Sequence, residues 1–65
     1  MNMYRIYVNH KLHAIFMEYS ASFDYLISLY RSTGNKDMDL YKVSVSDDGF
    51  VISSKICSSD EFLVV

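Results

Sequence analysis

Sixty-five residues carry six basic and eight acidic side chains, two glycines, one cysteine, and no proline or tryptophan; 51% are hydrophobic. A charged share of 22% beside so much apolar residue excludes a disordered chain. A net charge of −2 supplies neither the positive field of a nucleic-acid binder nor the dense negative one of a phosphate-backbone mimic.

The size itself is a constraint. A domain of this length buries only ~60% of the surface that its unfolded chain exposes. Its core rarely contributes more than ~3–5 kcal/mol, so small scaffolds usually carry a staple. Cys57 is alone, which excludes an internal disulfide framework, and His10 and His13 are the only other soft ligands, too few for a closed zinc site. Tight packing, a homo-oligomer or a permanent partner is left to do the stabilising. A single domain over residues 1–65 is expected. No secretory signal or membrane span is legible, and unbroken apolar runs such as residues 62–65 fall far short of the ~20 residues that a span needs. The expected location is the cytoplasm, with Cys57 a reduced thiol. Residues with AT-rich codons (Phe, Tyr, Met, Ile, Asn, Lys) number 26 against 6 with GC-rich codons (Gly, Ala, Arg, Pro), pointing to an AT-rich genome such as that of a low-GC bacterium or its phages and plasmids.

Residues 3–8 alternate, with Tyr4, Ile6 and Val8 on one face and Met3, Arg5 and Tyr7 on the other. Residues 12–19 read as a second strand. Face matching chooses the loop between them, because a one-residue slip inverts a strand. A three-residue loop, Asn9-His10-Lys11, pairs Val8 with Leu12, Ile6 with Ala14 and Tyr4 with Phe16, all apolar.

Between Ser20 and Gly34, residues Phe23, Leu26, Ile27 and Tyr30 recur at i, i+3, i+4 and i+7, the stripe of an amphipathic helix. Ser20 or Ser22 is the expected N-cap. Asp24 and Arg31 are expected in the first and last turns, where they suit the helix dipole. Gly34 is placed for a left-handed C-cap.

Leu40–Ser46 and Phe50–Ile56 alternate around Ser46-Asp47-Asp48-Gly49, and Asp-Gly is the strongest short hairpin signal. A loop of two or four residues puts Tyr41, Val43 and Val45 on one face with Phe50, Ile52, Ser54 and Ile56. Leu40, Lys42, Ser44, Ser46, Val51, Ser53, Lys55 and Cys57 then face the other way. The tail has capping-box spacing from Ser58 to Glu61 but is too short for a free-standing helix, so Phe62-Leu63-Val64-Val65 reads as a short strand or an apolar arm. The expected fold is α+β: a β-β-α-β-β antiparallel sheet of four strands, with a fifth as the alternative for the tail, and one helix on one face.

Most candidate sites have ordinary explanations. His10 and His13 lie on a loop and a strand without further ligands nearby, so no metal is expected. Cys57 with His13 as its base is the most plausible catalytic pair, yet nothing argues for a depressed thiol pKa. Asp47 and Asp48 are what a tight turn selects, and the spacing of a calcium loop is absent. No phosphate loop exists, and no cofactor or enzymatic activity is expected.

One surface stands out. The outer face of the first hairpin collects Met3, Arg5, Tyr7, His13, Ile15 and Met17, while that of the second is expected to be Ser and Lys. Aromatics, Met and Arg are the residues enriched in interface cores. Met3, Arg5, Tyr7, Ile15 and Met17 are therefore the expected partner-binding residues, serving a homodimer or a target. Tyr25 and Leu29 offer a second, smaller patch on the helix flank. The function expected is a non-enzymatic interaction module, an accessory protein of a phage or mobile element that binds and modulates a host protein. The alternative is a small nucleic-acid-binding regulator using Arg5, Tyr7 and Lys11.

Overall fold

Two tight turns and one helix stop set the path of the chain. The structure, a computed structural model, describes residues 1–62. It runs β1 (Asn2–Val8), β2 (Lys11–Phe16), α1 (Tyr19–Thr33), β3 (Met38–Val45), β4 (Val51–Ser58) and a 3-10 turn at Ser59–Glu61. The strands form one antiparallel sheet in the order β2-β1-β3-β4, and α1 packs on one face, so the α+β fold of four strands is the one expected. The tail is different. Ser58 closes β4, Ser59–Glu61 turns, and Phe62 sets its ring edge-on to Phe23 and Tyr30 at 6.3 and 5.2 Å. The rest of the expected fifth strand or arm lies outside the described residues.

The first turn holds two residues rather than the expected three. Asn9 (φ 53°) and His10 (φ 67°) are both left-handed, the conformation of a two-residue hairpin turn whose twist matches its strands. Val8 therefore pairs with Lys11 and Tyr7 with Leu12. A bulge between Ile6 and Tyr7 then absorbs one extra residue of β2, His13, and restores the expected Ile6–Ala14 and Tyr4–Phe16 pairs. An uninterrupted ladder had to place the extra residue in the loop; the bulge places it in the strand. Strand β2 also ends at Phe16, so Met17 and Glu18 form the bend into α1.

The second turn differs in parity. Ser46 donates its N–H to the Phe50 carbonyl at 2.9 Å, and Gly49 (φ 84°) donates to the Ser46 carbonyl at 3.0 Å. Its loop is the three residues Asp47-Asp48-Gly49, an odd number, so β3 shows the face opposite to the expected one while β4 keeps its own. Val45 pairs with Val51, Val43 with Ser53 and Tyr41 with Lys55. On the other side of β3, Ile6 of β1 pairs with Leu40, Tyr4 with Lys42 and Asn2 with Ser44. Met38 and Leu40 thus join the helix side with Ile6, while Tyr41, Val43 and Val45 face away from it. A second bulge, between Leu40 and Tyr41, brings Cys57 opposite Leu40.

The helix begins earlier than expected, at Tyr19, with Glu18 at the N-cap, two residues before Ser20, and no side-chain cap. Neither expected serine caps it: Ser20 is exposed, and the buried Ser22 donates to the Tyr19 carbonyl at 2.6 Å. Asp24 lies beyond the first turn, which holds no acidic residue. At the other end Arg31 occupies the last turn, and Gly34 (φ 66°) donates to the Tyr30 carbonyl at 2.7 Å, the expected left-handed stop. Leu26 and Tyr30 from α1 meet Ile6, Met38 and Leu40 to make the core, with Tyr4, Val8, Ala14, Phe16, Phe23, Leu29, Cys57 and Phe62 around it. Ser59 is buried but satisfied, its hydroxyl accepting the Met38 N–H at 3.1 Å. The molecule extends 43 × 20 × 17 Å. Toward the far end of the β3–β4 hairpin, Phe50, Val51 and Ile52 are all more than 60% exposed.

Nothing lies within 4 Å of a Cβ added at Gly34, so Gly34→Ala should cost only its backbone strain, about 1–2 kcal/mol, and Gly34→Asn less, as read by guanidinium unfolding. Leu26→Ala should cost about 2–5 kcal/mol, comparable to the whole ~3–5 kcal/mol expected of so small a core, and leave the chain largely unfolded by circular dichroism.

Candidate functional site: the open sheet face

With α1 on one side, the sheet keeps a second face with no element over it among the described residues. Alternation along each strand sends Met3, Arg5 and Tyr7 of β1 to this face. Their pairing partners across the sheet go with them: Ile15 from β2, then Val43, Tyr41 and Asp39 from β3. β4 adds Val51, Ser53 and Lys55. Met3, Arg5, Tyr7 and Ile15 thus stand where the sequence places them. Met17 does not share their strand face, since it lies in the bend beyond β2, 61% exposed. His13 has turned to the helix side, where its Nε2 and the Tyr25 hydroxyl are 2.9 Å apart and the two rings stack. Tyr25 also leans on Phe16 yet stays 38% exposed, while Leu29 packs against the core, so of the expected helix-flank patch it is Tyr25 that remains at the surface.

The larger surprise is the second hairpin. On β3, Tyr41, Val43 and Val45 stand on the open side in place of the expected Leu40, Lys42 and Ser44, whereas Val51, Ser53 and Lys55 of β4 are there as expected. The apolar surface therefore crosses all four strands rather than stopping at the first hairpin. Tyr7 and Tyr41 meet edge to face at 5.5 Å, a favoured geometry for paired rings. Val43 is only 3% exposed although no element covers it among the described residues.

Charge on this face is sparse and mostly neutralised. Lys55 lies 3.4 Å from Asp39 and 6.0 Å from the Tyr41 ring centre. The hydrogen bond and the charge of Asp39 raise its pKa, with a smaller contribution from Tyr41. Asp39 also accepts a hydrogen bond from the Ser58 hydroxyl. Arg5 has no such partner: its Nε is shut off from solvent without any hydrogen-bond acceptor among the described residues.

At one end of the face, Tyr7, His10, Asp39, Tyr41 and Ser53 line an open depression of about 320 Å³. Here β1–β3 pairing brings together groups that are far apart in the chain. His10 Nε2 is 3.5 Å from Asp37 Oδ1, and the donor atoms of His10, Asp37 and Asp39 all lie within 4.8 Å of one another. No spacing in the sequence announces this cluster, because the Tyr7–Asp39 register creates it. Its chemistry is that of a surface ion-pair network, since His10 and Asp37 are exposed and Asp39 is already engaged by Lys55 and Ser58.

The candidate nucleophile and base are not brought together. His13 belongs to β2 and Cys57 to β4, the opposite edges of the sheet. Burial pushes the Cys57 thiol up, and the nearby carboxylates Glu61 and Asp39 push it further, which is the reverse of what a nucleophile needs. No helix among the described residues is long and apolar enough to cross a membrane. No family model, no curated protein and no solved structure matches this chain.

Alkylation by iodoacetamide at neutral pH should be slower for Cys57 than for a cysteine at the exposed helix position of a Ser28→Cys, Cys57→Ser variant. Because the folded thiol is held above its ordinary pKa, its rate should keep climbing at alkaline pH after the exposed thiol has levelled off. Equal rates and equal profiles would show an ordinary thiol.

Proposed function

We propose that this chain is a small, non-enzymatic protein-interaction module whose open sheet face docks on a partner protein and modulates it. The observation that carries this reading is the continuous apolar face, uncovered among the described residues, from the exposed Ile15 through the half-buried Met3, Arg5 and Tyr7 to Tyr41. Contiguous exposed apolar surface rimmed by polar groups marks interaction sites, and Tyr and Arg dominate the energetics of such contacts. The core expected of so short a chain is small, which favours a protein that gains stability from its complex.

The small size and AT-rich composition support placing it as a phage or mobile-element accessory protein acting on a host protein in the cytoplasm. Nucleic-acid recognition has less support. Asp39 neutralises Lys55, leaving Arg5 as the one unpaired cation within the open face among the described residues, short of the positive groove that single strands require.

Affinity capture from cells of the native host, followed by direct titration of the captured protein, tests the reading. Ile15→Glu places a charge on a side chain already 51% exposed, so it should leave the thermal midpoint in place while weakening binding about thirtyfold or more, the scale of a hot-spot loss. Unchanged affinity in both Ile15→Glu and Tyr7→Glu would remove the open face as the binding surface.

A further inference from the structure

We propose that β4 is a self-pairing edge: two copies of this chain join antiparallel along β4 about a two-fold axis, forming one continuous sheet. This goes beyond the open-face reading, since the contact lies in the plane of the sheet and leaves that face free.

The edge is unusually available. β4 is the outermost strand, and Val51 through Ile56 are exposed. The hydrogen-bonded Ser46–Phe50 pair sets the alternation along the hairpin. In an antiparallel ladder, closed and open pairs take turns, so Val51, Ser53 and Lys55 direct their N–H and C=O groups away from β3. A row of such groups is a template for another strand.

Proteins commonly guard an edge with an outward lysine, a proline or a bulge. β4 has no proline, and its single charge, Lys55, is drawn back over its own sheet to Asp39 and Tyr41. Its bulge lies at the far end, next to Ile56, leaving Val51–Lys55 regular. The opposite edge, β2, is shorter at six residues, and its bulge interrupts the ladder near the middle.

The occupant is a second copy because β4 complements itself. With the axis at Ser54, Ile52 of one copy lies across from Ile56 of the other, and Lys55 across from Ser53. Within Val51–Cys57 no like charges meet, and two exposed isoleucines from each chain (62% and 38% exposed) gain apolar neighbours. Such an interface is isologous and closed, so it stops at a dimer.

Sedimentation of the full chain over a wide concentration range is the test. Wild type should dimerise. Ser53→Pro removes an outward N–H that the fold itself does not use, and should be monomeric with an unchanged thermal midpoint. Ile15→Glu, on the open face, should still dimerise, which separates this proposal from the partner-binding one. A monomeric wild type, a dimeric Ser53→Pro, or a monomeric Ile15→Glu would each overturn it. If Ser53→Pro fails to fold, a Ser54→Cys, Cys57→Ser variant decides. Non-hydrogen-bonded neighbours sit ~4.5 Å apart, within disulfide reach, so mild oxidation should yield a covalent dimer, and its absence counts against the pairing.

Discussion

Everything in this molecule rests on the pairing of β1 with β3, centred on Ile6 against Leu40, both fully buried. Each of the two hairpins is local, and a hairpin alone is at best marginally stable in water. Only the β1–β3 ladder, closed between residues 30 to 42 apart in the chain, fuses them into a sheet wide enough for α1 to cover. It also places Met38 and Leu40 beneath Leu26 and Tyr30, and Asp39 and Tyr41 beside Tyr7. Core and open face are two sides of one register.

Element types were legible because local physics decides them. The helix announces itself in the spacing of Phe23, Leu26, Ile27 and Tyr30 and in the left-handed stop at Gly34. The hairpins announce themselves in Asn9 and in Asp48-Gly49. The faces of β3 were not legible, for a definite reason. Side chains alternate with period two, so one residue in the loop inverts every later position. Both sides of β3 offer apolar residues, Met38 and Leu40 on one and Tyr41, Val43 and Val45 on the other. The pattern alone therefore could not penalise the wrong parity. In the first hairpin the far pairs were right although the loop was wrong, because the bulge at His13 cancelled the missing loop residue. The His10, Asp37 and Asp39 cluster was invisible for a related reason: it is made by tertiary register and not by spacing.

The same parity bears on the reading of the surface. Had Tyr41, Val43 and Val45 turned inward, the exposed sheet would have been apolar only on the first hairpin. Their outward position extends the apolar face across the sheet, and it sends Lys42 and Ser44 to the helix side, past the core cluster, where polar side chains meet water. A sequence that is half hydrophobic yet so short is accounted for by apolar residues on both sides of one sheet.

Arg5 brings a different kind of constraint. A buried donor without an acceptor costs about 1–3 kcal/mol, and here that deficit sits in the middle of the open face. That nitrogen is already shut off from solvent, so nothing that docks on the face can reach it. The cost is carried by the fold itself and weighs on its stability whatever the surface meets.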